Sequence, residues 1–321
     1  MEEQRLIVTA SPHIRDNSTT RGLMGNVVIA LVPSIVAATF IFGMRALLVV
    51  GVTVAACVGF EYLYTLLMKK PNPVGDLSAV VTGIILALNV PVNMPLGELV
   101  IGALVSIIIV KQLFGGIGMN FANPALVGRI VLFISFATEM NAWVYPDAAV
   151  DQLSKATPLQ VANPGKLNLL DLFMGIHGGV LGETCALAIV LGFVYLVVTK
   201  TISAAIPVAY VGSMFVFYMI ATGSVHESLA AVLSGGLLFG AVFMATDYVT
   251  SPFTLKGKLI YGLALGAVTF AIRYWGSYTE GVSFALLFMN LWVPFINDWT
   301  RQTPYGYVKP AKKAAKEGAG K

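Results

Sequence analysis

The feature that most constrains this chain is a succession of apolar runs long enough to cross a lipid bilayer. The first is "LMGNVVIALVPSIVAATFIF", residues 23–42. A helix crossing the hydrocarbon core needs about 20 apolar residues, and about 17 suffice. About ten stretches meet that criterion, near 23–42, 46–68, 75–91, 96–113, 122–138, 179–199, 203–222, 228–246, 258–274 and 282–299. Only 11% of residues are charged, against about 25% in soluble domains. So few charges cannot cover a water-facing surface. The expected fold class is therefore an all-α integral membrane protein with about ten transmembrane helices.

Lysine and arginine set the orientation of such a chain, because their excess in short loops marks the cytoplasmic side. With the N-terminus inside, fifteen of the 20 basic residues fall in inner segments, Lys69, Lys111, Lys200 and Lys258 among them. The outer segments hold Arg45, Lys155, Lys166 and Arg273. This predicts an even number of spans with both termini cytoplasmic. The loop at 139–178, containing "DQLSKATPLQ", then faces outward. The polar N-terminal segment does not read as a cleaved signal peptide, since the run after it continues to spanning length. The basic balance speaks of topology rather than of nucleic acid.

Short echoes divide the chain in two. "MNFANP" (119–124) opens the fifth stretch and "MNLWVP" (289–294) lies in the tenth. "TGIILALN" (82–89) ends the third and "FGAVFMATD" (239–247) ends the eighth. Five plus five spans place the halves in opposite orientations, and inverted repeats of this kind build sites from broken helices at their interface. The expected organisation is a cytoplasmic segment 1–22, a membrane repeat 23–138, the outer loop 139–178, a second repeat 179–299 and a basic cytoplasmic tail 300–321.

Polar residues at membrane depth are functional candidates by default. Arg129 sits about two turns into the fifth span, where it either snorkels to the interface or faces inward. Glu61, near Lys69, reads as interfacial. Asp76 and Glu98 suit helix N-termini. Glu183, in "GGVLGETC", is deeper. Cys57 and Cys185 read as small hydrophobes, and two cysteines are too few for an iron–sulfur cluster, which needs four ligands, unless the cluster is shared with another subunit. His13, His177 and His226 are scattered and do not read as a metal site. Walker and Rossmann glycine patterns are not found in the sequence.

A more specific group brackets the inner ends of two spans. Asn120, Asn123 and Pro124 stand where the fifth enters, and Asp247 where the eighth leaves. Phe239 and Phe243 precede Asp247 by eight and four residues, which puts both rings on its helix face. An aromatic-walled slot with amides and one carboxylate suits a flat, hydrogen-bonding heterocycle. Phenylalanines at this spacing also serve ordinary packing, and the residues alone leave both readings open.

Six segments taken in order carry a resemblance: "SPHIRDNSTTRGLMGNVVIALVP", "GDLSAVVTGIILALNVP", "FGGIGMNFANPALVGRI", "SKATPL", "GGVLGETCALAIVLG" and "FMATDYVTSPFT". With them the chain resembles RnfD, the large membrane component of Rnf-type ferredoxin:NAD⁺ oxidoreductases. More distantly it is similar to NqrB, its counterpart in the sodium-pumping NADH:quinone oxidoreductase. The resemblance implies that Thr157 is esterified through the phosphate of FMN by a dedicated flavin transferase, with Asp151, Ser154 and Ala156 as recognition residues. Many members of that family have glycine where Lys155 and Gln152 stand here. Lys155 beside the acceptor complements a phosphodiester charge. The resemblance also implies a non-covalent riboflavin at Asn120, Asn123, Phe239, Phe243 and Asp247.

These implications predict a flavin-carrying membrane subunit of a redox-driven Na⁺ or H⁺ pump in the bacterial cytoplasmic (inner) membrane. Its partners would be the flavin- and iron–sulfur-bearing subunits of the same complex. Glu183 and Asp247 are the candidates for ion coupling. Two rivals stand beside this reading. A non-redox channel or secondary transporter for a small polar solute explains the repeats and the buried amides equally, but not the flavin-acceptor motif. A structural anchor for soluble redox subunits predicts that Thr157 is dispensable.

Overall fold

The computed structural model describes residues 18–71, 73–144, 167–175, 177–276 and 281–302. Among them every regular element is helical. In the first half of the chain these are α1 (Thr20–Phe42), α2 (Met44–Leu67), α3 (Ser78–Leu88), α4 (Leu96–Leu104), α5 (Pro124–Ser135) and the single turn α6 (Ala137–Met140). A short α7 (Leu169–Met174) leads to α8 (Ala186–Val198), α9 (Ala205–Thr222), α10 (Val225–Leu233), α11 (Leu237–Phe239), α12 (Leu255–Trp275) and α13 (Val282–Trp299). Two helices continue in the wider π form, α4 through Val105–Gln112 and α11 through Gly240–Met244.

Among the described residues five helices, α1, α2, α9, α12 and α13, are long and apolar enough to cross a membrane. The count becomes six when α10 and the α11 helix, which meet at a 65° bend, are taken as one broken span. Large apolar side chains such as Phe40, Val198 and Ile220 are strongly exposed, as a lipid-facing surface requires. The chain is a multi-pass membrane protein.

Helix length departs from expectation at the third, fifth and sixth stretches. There α3, α5 and α8 have only 11, 12 and 13 residues. At 1.5 Å per residue each covers about half of a hydrocarbon layer of about 30 Å. The third and sixth stretches run into irregular chain rich in glycine, proline or asparagine, "NVPVNMP" (89–95) and "HGGVLGET" (177–184), and "FGGIGMN" (114–120) precedes the fifth. Hydropathy counts apolar atoms and overlooks the backbone, so these segments pass as spans in the sequence.

Irregular backbone at membrane depth is tolerated only where protein satisfies it. The carbonyls at the end of α3 meet this demand across the chain: Gly182 N–H donates to Leu88 O at 2.7 Å and Leu181 N–H to Val90 O at 3.2 Å. A Cβ on Gly182 would lie 2.6 Å from that of Leu88. Two arginines serve other breaks. Arg45 donates to Val92 O at 2.9 Å, and Arg273 to Ala231 O, near the end of α10, at 2.9 Å. The halves also interlock through helix pairs, α1 with α8 and α5 with α13.

Candidate functional site

The short helices and the two π segments surround a cavity of about 340 Å³. Its walls come from the start of α1 (Thr20, Met24), the first turns of α3 (Ser78, Thr82), the π segment after α4 (Lys111) and the loop before α5. The second half contributes Phe243, Asp247 and Tyr248. A π turn is uncommon and occurs often at functional sites, and here both border one cavity.

Asn123 is buried and caps α5. Its Oδ1 accepts from the amides of Ala125 at 3.1 Å and Leu126 at 3.3 Å, and Pro124 occupies the first helical position, where no N–H is needed. This use of the oxygen leaves the NH₂ group for the cavity. Asn120 donates to Ala122 O at 2.9 Å. The Asp247 carboxylate accepts from Thr250 Oγ1 at 3.0 Å, and the Asn120 side chain and the amides of Tyr248 and Val249 lie close to it. The Asn120–Asp247 contact joins the two halves of the chain at the cavity wall.

Four of the five residues expected around a heterocycle, Asn120, Asn123, Phe243 and Asp247, thus line one cavity. Phe239 does not reach it. Its ring stacks behind Phe243, with centroids 5.1 Å apart at 46°, and closes on Gly182. A mostly apolar pocket of this volume, with amide donors and one carboxylate gathered on its wall, has the size and chemistry of a site for a flat heterocycle. Asp151, Ser154, Lys155, Ala156 and Thr157 lie outside the described residues.

The sequence reading missed the most polar part of the wall. Glu61 is fully buried within the protein. Its Oε1 lies 2.6 Å from Lys111 Nζ and accepts from Gln112 Nε2 at 2.8 Å. Lys111 and Gln112 are neighbours in the π segment, whose wider turn brings both side chains to one carboxylate oxygen. Lys111 also donates to Ser78 Oγ, and Ser78 Oγ to Asp76 Oδ1. Asp76 does serve the start of α3 as expected, since Ser78 N–H donates to it at 2.8 Å. Lys111 stands at the end of an apolar run, where a topology-setting lysine and a paired one look alike in sequence. A carboxylate inside another span was the available signal.

Glu183 lies elsewhere. It is buried beside the break between α10 and α11, and a Cβ on Gly236 would sit 3.6 Å from its Oε2 and 3.7 Å from Arg129 Nη1. Arg129 faces inward and does not snorkel: it is 2% exposed and donates to Ser283 Oγ of α13. The two carboxylates singled out for ion coupling therefore occupy different environments, Asp247 on the cavity and Glu183 in this buried polar cluster. Cys57 is buried and Cys185 half-buried at the start of α8, each as a free thiol.

Comparison with known proteins accounts for nearly the whole chain. The model of the NQR2, RnfD, RnfE family matches residues 7–306. Over 320 residues the chain is 41% identical to the D subunit of the Na(+)-translocating ferredoxin:NAD(+) oxidoreductase complex of Acetobacterium woodii, covering 98% of this chain and 99% of that one. It is 35% identical to the D subunit of the proton-translocating ferredoxin:NAD(+) oxidoreductase complex of Clostridium ljungdahlii, over 93% of this chain and 96% of the relative. With the D subunit of the ion-translocating oxidoreductase complex of Vibrio atlanticus the identity is 33%, over 94% and 99%. The chain belongs to the NQR2, RnfD, RnfE family.

Proposed function

We propose that this chain is the flavin-carrying membrane subunit of a redox-driven ion pump that passes electrons between ferredoxin and NAD⁺. The names of its relatives support the complex, and with it the other flavin- and iron–sulfur-bearing subunits as partners. The observation that carries the flavin assignment is the cavity at which Asn120, Asn123, Phe243 and Asp247 meet. A bound flavin supplies one- and two-electron chemistry that no side chain offers. The chain's own residues bind and orient it: Phe243 covers an apolar face, the Asn123 and Asn120 amides offer donors, and Asp247 offers an acceptor. Riboflavin is the expected occupant.

Thr157 is the proposed attachment point of a second flavin, FMN, placed there by a transferase that reads Asp151, Ser154 and Ala156. With both termini cytoplasmic and five helical stretches in each inverted half, Thr157 lies on the outer side and the cavity towards the inner one. One flavin near each surface suits electron passage across a layer of about 30 Å and disfavours a solute channel. The coupled ion is Na⁺ or H⁺, and the membrane is the bacterial cytoplasmic one.

The test is fluorescence of the denatured polypeptide on a gel under ultraviolet light. Wild-type chain co-expressed with the transferase is expected to fluoresce, and Thr157→Ala to be dark. Fluorescence that survives in Thr157→Ala overturns the attachment site.

A further inference from the structure

The cavity wall carries a charge arrangement for which heterocycle binding alone provides no role. Among the described residues that line the cavity, only Lys111 and Asp247 have carboxylate or ammonium groups. Lys111 is 3% exposed, and its ammonium is shared between two carboxylates. One is Glu61, which lies behind the wall and holds it directly at 2.6 Å. The other is Asp76, reached through Ser78. A serine hydroxyl has a single proton, and here it is given to Asp76, so Ser78 accepts from Lys111 and hands its polarisation on. Gln112 pins the same Glu61 oxygen at 2.8 Å, which holds the carboxylate in place beside the ammonium. Lys111 lines the cavity whereas Glu61 and Asp76 do not, so of these three groups the cation is the nearest to the cavity.

Replacing a buried ion pair by apolar residues is often neutral or stabilising, so stability is a weak reason for a membrane protein to hold this pair. An oriented pair beside a cavity has a second consequence. Its nearer charge dominates the potential inside, and in a low-dielectric setting that potential is poorly screened. We propose that Lys111, backed by Glu61, is a positioning residue that sets how readily a planar electron-accepting ring in this cavity takes on negative charge. The inference rests on the flavin reading of the cavity. It assigns no bond making and no proton transfer; the ammonium acts as a fixed counter-charge, weakened by the carboxylate behind it.

Two substitutions separate this role from a structural one because they act with opposite sign. Lys111→Gln removes the near cation and uncovers the anion, so the ring becomes harder to reduce. Glu61→Gln removes the compensating anion, so the ring becomes easier to reduce. The measurement is a spectroelectrochemical titration of the non-covalent flavin in the purified complex, after acid extraction has established its content. The expected result is a reduction equilibrium at least tenfold less favourable in Lys111→Gln, which is about 59 mV for a one-electron step, a shift the other way in Glu61→Gln, and a value near wild type in Lys111→Arg. Flavin present in normal amount with both glutamine variants unmoved, or moved in the same direction, overturns the role of Lys111 and leaves the flavin reading intact. Absence of extractable flavin from the wild-type complex overturns both. Should the single variants fail to assemble, the double variant Lys111→Gln/Glu61→Gln leaves no lone buried charge. Its potential is expected to fall, because the nearer charge lost is the cation, and an unchanged or higher value contradicts the proposal.

Discussion

Gly182 donates its amide proton to the carbonyl of Leu88 at 2.7 Å, and this contact is why α3 can stop halfway. The loop 177–185 comes from the second half of the chain and closes the end of a helix from the first. Its approach leaves no room for a side chain, since a Cβ on Gly182 would lie 2.6 Å from that of Leu88 and 3.0 Å from the ring of Phe239.

Gly182→Ala should therefore force the loop from α3 and disturb Phe239 behind the cavity. Overpacking of this kind costs about 1–3 kcal/mol. Thermal unfolding in detergent is expected to begin at a lower temperature than for wild type, with part of the non-covalent flavin lost. An unchanged unfolding temperature would show that the loop yields without cost.

The aromatic pair makes a graded prediction. Phe243 lines the cavity and Phe239 stands behind it. Phe243→Ala should lower extractable flavin more than Phe239→Ala, although both deletions remove similar buried area and should destabilise comparably, by about 3–5 kcal/mol. Asn123→Ala should lose flavin and also a helix cap worth about 0.5–2 kcal/mol. Flavin content measured per folded chain separates these effects, and equal retention in all three variants would contradict the cavity assignment.

Much of this was legible in the sequence, for identifiable reasons. Apolar length gave the helical, membrane-embedded class, and α1, α2, α9, α12 and α13 follow their runs closely. Asn123 before Pro124 is a helix start that can be read directly, whereas the single helix face expected for Phe239, Phe243 and Asp247 is divided, because Gly240–Met244 is π-helical and Asp247 lies beyond its end. Three things were hidden. The short helices were masked because Val, Leu and Met keep hydropathy high across "NVPVNMP" and "HGGVLGET" while their glycines and prolines break the hydrogen-bond ladder. The π segments have no sequence signature in the residues around Lys111. The Lys111–Glu61 pair joins positions 50 residues apart, and a carboxylate inside the second span signals a need for a partner without saying which residue it is.

Ion coupling is tested at two carboxylates in different surroundings. Glu183→Gln alters the buried cluster with Arg129 beside Gly236, and Asp247→Asn alters the cavity wall. Redox-driven ion uptake by vesicles carrying the complex is expected to fall at least tenfold in each, with electron transfer better preserved in Glu183→Gln because that residue does not line the cavity. Unchanged coupled uptake in both variants would remove them from the pumping step.

The most direct test of the central claim, that this membrane scaffold carries a covalent flavin, is the mass of the tryptic peptide Ala156 to Lys166, which contains Thr157. From chain produced with the attaching transferase, the account predicts a peptide heavier by FMN less one water, with fragmentation placing the adduct on Thr157. A peptide of unmodified mass, from protein shown to have met an active transferase, would contradict it.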